Sequence, residues 1–426
     1  MTAPLPARGP AVWLRGWAYW PVISHPVVRG LLPGYALSAL GDGMSAVAVA
    51  WLALRLAPAG QAGLWVGAAV AAYSVPGALG AAVLGRWLRR RAGVRLAAAD
   101  AVLRAAALGA VGVLGAVHLL GPALYVALLG ASSVLHAWGA AGQYTLLAEI
   151  LPAGHRVAGN ALLASLSQLT IVAGPALAGL LTAATGPAPV IGADAVTWAV
   201  LAVSYTRAGH RVPATPPGNS DIPAAPGPAA PAGLRIVMAN PTLLGLTALS
   251  FVFFLLYGPV EVALPVHVAT GLHASAAVLG WFWAAYGIGA VAGSLAAPVL
   301  RSWPLWPVMI GIVAGWGLAL LPLGLGAPLG VSLVSFALGG TIYAPYNSIA
   351  MAVFQDAAPP SELARMLAAR SGLMIVAAPL GTALGGPLVS ALGADTTLLL
   401  SALTTLALAL CAAAGWALFY RPRSRR

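Results

Sequence analysis

Five of the nine acidic residues lie within or at the ends of long apolar segments: Asp42, Asp100, Glu149, Asp194 and Glu261. A carboxylate in hydrocarbon costs several kcal/mol unless it is paired, protonated or in contact with water, so acids at this depth are functional candidates. Asp42 and Glu261 lie well inside their segments, where the loss of water favours the protonated carboxyl group. We predict that these two acids exchange protons; a structural hydrogen-bonding role is the alternative for each.

A second group of charges is spaced for pairing. Asp100 and Arg104 are four residues apart, so they share one face of a helix and can form an ion pair. Glu149 and Arg156 bracket a short loop, and Arg86 belongs to an arginine cluster in an earlier loop. We predict that these five residues form structural or gating ion pairs.

Aromatic and amide side chains indicate what the chain binds. They lie in four of the apolar segments, and Tyr343, Tyr346 and Asn347 have the spacing of residues on one helix face. Such a lining suits a bulky, amphipathic or cationic organic molecule through stacking and cation–π contact, whereas the alternative is that some rings face lipid. The predicted binding residues are Gln143, Gln168, Trp281, Tyr286, Tyr343, Tyr346 and Asn347.

Patterns for other chemistry are not found in the sequence. The histidines lack metal-ligand spacing, and no glycine-rich phosphate-binding loop is present. No Ser-His-Asp or metal-hydrolase pattern occurs either. We therefore expect no metal, no cofactor and no enzymatic activity.

The composition indicates that the elements positioning these residues are membrane helices. Hydrophobic residues make up 60% of the 426 residues and charged residues 7%, against roughly 25% charged residues in soluble domains. Each membrane span needs about 20 apolar residues. Twelve segments meet this condition: 31–57, 62–85, 94–119, 122–147, 158–184, 187–206, 241–269, 274–300, 304–324, 327–355, 363–392 and 395–420.

Arginine is distributed unevenly among the loops between these segments. The even-numbered loops and both termini carry nearly all arginines, whereas the odd-numbered loops have almost none apart from Arg55. Positive charge marks the cytoplasmic side, so both termini and the sixth loop are predicted to face the cytoplasm. The net charge of +12 is thus a topology signal that also contacts anionic lipid, and we expect no nucleic-acid partner.

The sixth loop, residues 207–240, divides the chain into halves of nearly equal length, 31–206 and 241–420. Its dense prolines predict a helix-free cytoplasmic linker. Residues 1–30 are predicted to be a cytoplasmic segment with an interfacial helix, because Trp13, Trp17 and Trp20 follow helical spacing. Residues 421–426 form a basic cytoplasmic tail.

The two halves echo each other. Residues 152–179 and 359–381 each begin with a loop proline, continue with a basic residue at helix entry and carry a proline about midway along the helix. The repeat predicts an all-α membrane protein with twelve transmembrane helices in two six-helix bundles related by a pseudo-two-fold axis. That is the architecture of a secondary transporter, with its substrate site between the bundles.

Four short motifs, in order and at consistent spacing, carry a family resemblance: residues 40–43 (Leu-Gly-Asp-Gly), Asp100 to Arg104, residues 152–160 with the run to 179, and residues 193–198. Together they resemble the major facilitator superfamily, in the drug and natural-product exporter branch that includes macrolide-efflux and enterobactin-export proteins. The resemblance implies a monomeric, proton-coupled antiporter in the bacterial plasma membrane that exports hydrophobic small molecules. It also implies that Gly174, Pro175 and Gly179 form an antiporter-like motif, and that Asp194 packs helices.

One departure from the family pattern lies in the second loop, which in the family usually reads Gly-x-x-x-Asp-Arg. Gly85 occupies the acidic position, before Arg86. The resemblance then implies a weaker conformational latch, or a substitute acid such as Glu149. The alternatives that stay open are a siderophore or lipid exporter of the same fold, a membrane-embedded lipid-modifying enzyme and a non-transporting sensor.

Overall fold

The computed structural model describes residues 19–84, 88, 91–211, 229–300, 303–357, 359 and 362–419. Within them, twelve helical spans are long and apolar enough to cross a membrane, so the twelve predicted segments are confirmed. Proline at the first helical position starts several spans, since a helix needs no amide hydrogen there. In order, the spans are Pro26–Leu56, Ala62–Val83, Gly93–Ala116, Pro122–Ser133 with His136–Ile150, Ala153–Thr185, Pro187–Gly209, Pro241–Val266 with a π-helical turn His267–Gly271, Ala276–Leu300, Leu305–Gly324, Leu329–Tyr343 with Tyr346–Ala357, Leu363–Leu392 and Ala394–Phe419.

The packing of the spans repeats with a period of six. The first span packs on the fifth and sixth, and the seventh packs on the eleventh and twelfth. The third packs on the sixth as the ninth packs on the twelfth, and the second packs on the fourth as the eighth packs on the tenth. The predicted pair of six-helix bundles is therefore confirmed.

Because the chain crosses the bundle twelve times, the even-numbered loops lie on one side of the molecule with the loop between the bundles; we call this the linker side. The odd-numbered loops lie on the opposite side, which we call the far side. The bundles meet where the second span packs on the eleventh and the fifth on the eighth. A cavity between the bundles is closed wherever these two pairs of spans touch.

Glycines bring the bundles together near the far side. A Cβ atom on Gly179 would lie 2.9 Å from the Cα atom of Gly280, so the fifth and eighth spans touch backbone to backbone. Gly67 and Gly386 make the equivalent contact between the second and eleventh spans, where an added Cβ would overlap the partner's backbone. All four glycines lie in the far-side portions of their spans, so the bundles are closed on that side.

The linker differs from its prediction. Residues 212–228 lie outside the described residues, but Ala229–Ala239 forms a helix that packs on the eleventh span, so a helix-free linker is wrong for this part. Pro231 falls in the first turn of that helix, where amide hydrogens have no acceptor within the helix. Gly233 lies directly against the backbone of Arg365.

The amino-terminal segment is described from residue 19 onward. A short helix, Trp20–Ile23, precedes the first span. Its Val22 is fully buried against Val28, Leu147 and Leu163, so this helix packs on the linker-side end of the first bundle. The predicted interfacial helix also involved Trp13 and Trp17, which lie outside the described residues.

Two spans are interrupted at corresponding positions of the repeat. The fourth span breaks at residues 134–135 and the tenth at residues 344–345. Pro345 cannot donate a helical hydrogen bond in the tenth span. In the fourth, the Ser132 hydroxyl donates to the Leu129 carbonyl oxygen at 2.7 Å, a side-chain bond that competes with the helix. The linker-side half of each span is therefore a separate helix.

Candidate functional site

A cavity of about 740 Å³ lies between the two bundles. This volume accommodates a drug-sized organic molecule. Side chains from the first eight spans line it, and both bundles contribute carboxylates. The lining includes Tyr35, Asp42, Tyr73, Asp100, His136, Gln143, Tyr144, Ser167, Thr170, Pro175, Trp198, Tyr257, Glu261, Trp283 and Tyr286.

Arg104 is the centre of a charged cluster behind the first-bundle wall of this cavity. Its guanidinium Nη1 lies 2.9 Å from Asp42 Oδ1 and also donates a hydrogen bond of 3.3 Å to the Tyr73 hydroxyl. The Tyr73 hydroxyl in turn donates to Asp42 Oδ1 at 3.0 Å. The guanidinium also stands 4.7 Å from the centre of the Trp198 ring. Side chains from three other spans therefore fix the position of this one cation on the third span.

The predicted pair between Asp100 and Arg104 is present but is the longer of the two ion pairs of Arg104. Asp100 Oδ1 lies 3.7 Å from Arg104 Nε, beyond hydrogen-bond distance. On its other side, Asp100 Oδ2 lies 3.8 Å from Nδ1 of His136, whose side chain is about half exposed. Asp100 is buried against Gly139, where any Cβ atom would overlap its carboxylate.

Asp194 is a third carboxylate beside the same cation. Its side chain is fully buried. The Ser45 hydroxyl donates to Asp194 Oδ2 at 2.5 Å, and the Thr197 hydroxyl lies 3.2 Å from Oδ1. A Cβ atom at Gly41 would overlap this carboxylate, so Asp194 packs the sixth span tightly on the first.

Glu261 brings a carboxylate to the cavity from the second bundle. The Thr382 hydroxyl donates a 3.0 Å hydrogen bond to Glu261 Oε2. Across the described residues, no arginine or histidine lies within ion-pair distance of Glu261. The two predicted proton-exchange residues thus lie in the same cavity in different settings, Asp42 paired with a cation and Glu261 bonded to a hydroxyl.

Aromatic side chains form the second-bundle wall. Tyr257, Trp283 and Tyr286 line the cavity. Trp316 and Phe336 pack behind Tyr286 with ring centres 5.8 and 5.4 Å away. This second layer fixes the orientation of the rings that face the cavity.

Several predicted binding residues lie elsewhere. Trp281 is 48% exposed on the outside of the eighth span and does not line the cavity. Tyr343 belongs to the second aromatic layer, 6.1 Å from Tyr286. Tyr346 is fully buried and shares a hydrogen bond of 3.1 Å with Ser250, whereas Asn347 is exposed.

The break in the tenth span explains this distribution, because the shared face predicted for Tyr343, Tyr346 and Asn347 requires an uninterrupted helix. Of the two glutamines, Gln143 lines the cavity, and the side chain of Gln168 lies outside the described part of the structure. Trp283, a neighbour of Trp281 in the same aromatic cluster, lines the cavity, and so do four residues that were not predicted: Tyr35, Tyr73, Trp198 and Tyr257.

The antiporter-like motif lies at the junction of three spans. Gly174 packs against the Gly43 backbone and so holds the fifth span on the first. Pro175 lines the cavity, and a Cβ atom on Gly280 would lie 2.6 Å from the Pro175 carbonyl oxygen. Gly179 makes the backbone contact between the bundles, so the motif joins cavity wall and bundle interface.

Two of the remaining gating candidates, Glu149 and Arg156, form no ion pair with each other. Glu149 is half-buried without a basic partner among the described residues, and Arg156 donates a 3.2 Å hydrogen bond to the Leu151 carbonyl oxygen. Arg86 lies outside the described ranges. The part of the chain that the structure describes contains no cluster of three or more metal-ligating side chains.

Comparison with known proteins agrees with this architecture. The family model described as Major Facilitator Superfamily matches residues 31–269 and 246–426. An uncharacterised MFS-type transporter of Sinorhizobium fredii is 30% identical over 161 residues, which is 37% of this chain and 38% of that relative. The chain therefore spans less than half the length of this curated relative.

Three solved structures share the fold. They are an auto-inhibited POT family peptide transporter (TM-score 0.68, 12% identity, 93% of this chain and 99% of that chain), a bacterial homologue of the iron transporter ferroportin in an inward-facing state (0.68, 16%, 91% and 98%), and the nucleoside transporter NupG (0.68, 15%, 92% and 100%). At these identities the likeness concerns the fold alone.

Proposed function

The chain belongs to the major facilitator superfamily and is a multi-pass membrane transporter, and on that premise we propose that it exports an amphipathic, cationic small molecule in exchange for protons. The observation that carries this proposal is the composition of the cavity. Carboxylates from both bundles, Asp42 and Glu261, lie in one space whose second-bundle wall is aromatic. A molecule with a positive charge and an apolar ring system finds a complementary group at each end.

Two observations support the proposed direction of transport. The bundles are closed by glycine contacts on the far side, so the cavity receives its cargo from the linker side. The arginine distribution favours the cytoplasm for the linker side. Cargo that binds in this state comes from the cell interior, and alternating access then releases it outside.

Proton coupling rests on the acids that face the cavity. Glu261 has a hydroxyl partner and, among the residues that the structure describes, no cationic one, and a carboxyl group in that setting can be neutral until the cavity fills with water. Asp42 belongs to a cluster with two further carboxylates and Arg104. Entry of a cationic cargo next to these groups would displace protons, which is the basis of antiport.

The alternative cargoes differ in charge. A siderophore in its anionic form would meet repulsion from the acids of the cavity, so the lining favours a cation. A lipid exporter would need the cavity to admit acyl chains from the side.

A lipid-modifying enzyme would need clustered acids or metal ligands near the headgroups, and the cavity acids lie deep between the bundles instead. A sensor without coupling would bind the cargo and release no proton.

The test uses inverted membrane vesicles that contain the protein and are energised to an acidic interior. Lipophilic cations such as tetraphenylphosphonium, then macrolides and siderophores, are added, and internal pH is followed by dequenching of a fluorescent amine. We expect proton release on addition of the cations. The variants D42N and E261Q should abolish or strongly reduce it.

The control variant is D395N, because Asp395 is half-exposed near the far side and pairs with His267 away from the cavity. It should behave like the wild-type protein. Proton release that persists in both D42N and E261Q would contradict the roles proposed for these acids. A folded, inserted protein that responds to no compound in the panel would favour the sensor.

A further inference from the structure

The buried carboxyl group of Asp194 lies in the same cluster as Asp42, and the function proposed above gives it no individual role. Within the described residues, no arginine or histidine comes within ion-pair distance of it. Arg104 is the cluster's only permanent cation, and its ion pairs are made with Asp42 at 2.9 Å and Asp100 at 3.7 Å. Three carboxylates therefore share one guanidinium.

This imbalance has an energetic consequence. Three ionised carboxylates and one guanidinium would leave two uncompensated negative charges, and of these four groups Asp42 alone is substantially exposed to the cavity, whereas the other three are buried. Each uncompensated charge in such a place costs several kcal/mol. A proton on one carboxylate, and a positive charge on His136 or a second proton, would remove this cost.

The surroundings of each acid select the one that is protonated. Asp42 accepts hydrogen bonds from Arg104 and Tyr73 and its side chain is 35% exposed, so its negative charge is compensated. Asp100 lies between Arg104 and His136. Asp194 faces only hydroxyl groups among its hydrogen-bond partners, and it is completely buried.

The hydroxyl partners of Asp194 suit a group that alternates between two protonation states. The Ser45 hydroxyl can donate to the carboxylate or accept from the carboxylic acid, so its contact with Oδ2 persists in both. The Thr197 hydroxyl lies closer to the Asp194 main-chain oxygen, at 2.7 Å, than to the carboxylate, at 3.2 Å. Neither partner fixes a permanent negative charge.

We propose that Asp194 holds the proton that the Arg104 cluster releases during transport, and that Arg104 controls its release. When a cationic group binds to Asp42, Arg104 loses its nearest partner and turns towards Asp194. The new ion pair stabilises the Asp194 carboxylate, and its proton leaves to the water of the cavity. Arg104 stays charged throughout, one cation enters for one proton lost, and the net charge of the cluster does not change.

This inference rests on the proposed antiport, but the position of the proton can be tested without transport. The purified protein in lipid nanodiscs at neutral pH, with no cargo, is examined by infrared spectroscopy in H2O and D2O for the carbonyl stretch of protonated carboxylic acids. We expect a deuterium-sensitive band in the E261Q protein, in which Glu261 can no longer contribute a carboxylic acid, and D194N added to E261Q should remove it. The control D395N should retain it.

A second variant covers the case in which D194N does not fold. S45A keeps Asp194 and removes its short hydrogen bond, so it should shift the pH at which the band disappears. S132A is the matched control, because Ser132 is an equally buried serine whose hydroxyl bonds a carbonyl oxygen instead. A band that survives D194N in the E261Q background, or that S45A leaves unmoved there, would overturn the proposal.

The role of Arg104 is tested by adding tetraphenylphosphonium in weakly buffered solution and measuring released protons with a pH dye. The wild-type protein should lose the Asp194 band and release one proton for each bound cation. R104K keeps the positive charge but lacks the planar set of N–H donors of the guanidinium group. It should bind the cation and release fewer protons. If R104K releases as many protons as the wild-type protein, Arg104 does not control proton release. If the wild-type protein binds no cation, the proposed cargo is wrong, and the infrared band alone then tests whether Asp194 carries the proton.

Discussion

Replacement of Arg104 by methionine removes the only permanent cation of the buried cluster and keeps most of the length of the side chain. Arg104 is 2% exposed, and its guanidinium is the sole positive group within ion-pair distance of Asp42 in the described structure. The substitution leaves Asp42 and Asp100 without that partner in a low-dielectric region. We therefore expect R104M to lower the free energy of unfolding considerably.

The magnitude follows from the geometry. With an effective dielectric constant of about 20, two unit charges at the observed 2.9 Å attract each other by roughly 6 kcal/mol, much of which offsets the loss of hydration. Removal of one partner from a buried pair typically costs about 3–5 kcal/mol, and we expect R104M to fall in this range. D42N should cost less, about 1–3 kcal/mol, because Arg104 retains Asp100 at 3.7 Å.

The double variant R104M/D42N provides a sharper measure. It removes one of the carboxylates that R104M alone would strand, so its cost should be smaller than the sum of the two single costs by about 1–3 kcal/mol. The measurement is equilibrium unfolding in mixed detergent micelles with increasing sodium dodecyl sulfate, followed by tryptophan fluorescence.

The control is R365M. Arg365 pairs with Glu362 at 3.1 Å, but its side chain is 59% exposed, so this substitution should change stability by less than about 1 kcal/mol. If R104M costs no more than R365M, or if the double variant costs the full sum, the cluster is not the electrostatic unit described here.

Two further predictions concern the bundle interface and the aromatic wall. G280V should push apart the backbone contact with Gly179 at a cost of about 1–3 kcal/mol of overpacking, and so raise the ratio of far-side-open to far-side-closed molecules by about 5- to 150-fold. Distances between spin labels on the far-side ends of the two bundles measure this ratio. G311V is the control, because nothing lies within 4 Å of a Cβ atom added at Gly311. W283A should weaken tetraphenylphosphonium binding about 2- to 30-fold, whereas W281A should leave it unchanged because Trp281 faces away from the cavity. Calorimetric titration measures both affinities. Equal effects of the two substitutions would contradict the statement that Trp283, and not Trp281, lines the cavity.

The spans and their repeat could be predicted because segment length, apolar composition and the distribution of charge are properties of the linear sequence. The pair Asp100–Arg104 could be predicted for the same reason, since one helical turn fixes both residues. The pair Asp42–Arg104 could not, because it depends on how the first and third spans are rotated about their axes, which individual apolar segments do not specify.

Rotation also explains the misplaced aromatic residues. Trp281 and Trp283 are neighbours in sequence, but residues two apart point to nearly opposite sides of a helix, so only one of them faces the cavity. Lipid on one side of the helix and protein core on the other are both apolar. The sequence therefore gives no signal for which of the two tryptophans faces the cavity. In the tenth span, the break at residues 344–345 changes the phase again and takes Asn347 out of the predicted face.

The matching interruptions in the fourth and tenth spans have a mechanical consequence. Each acts as a joint at which a short helix can swing while the remainder of its span stays in place. The swinging piece in the first bundle, His136–Ile150, carries Gln143 and Tyr144 of the cavity wall. A bend at residues 134–135 would therefore move Gln143 and Tyr144 and change the shape of the cavity wall while the rest of the fourth span stays in place.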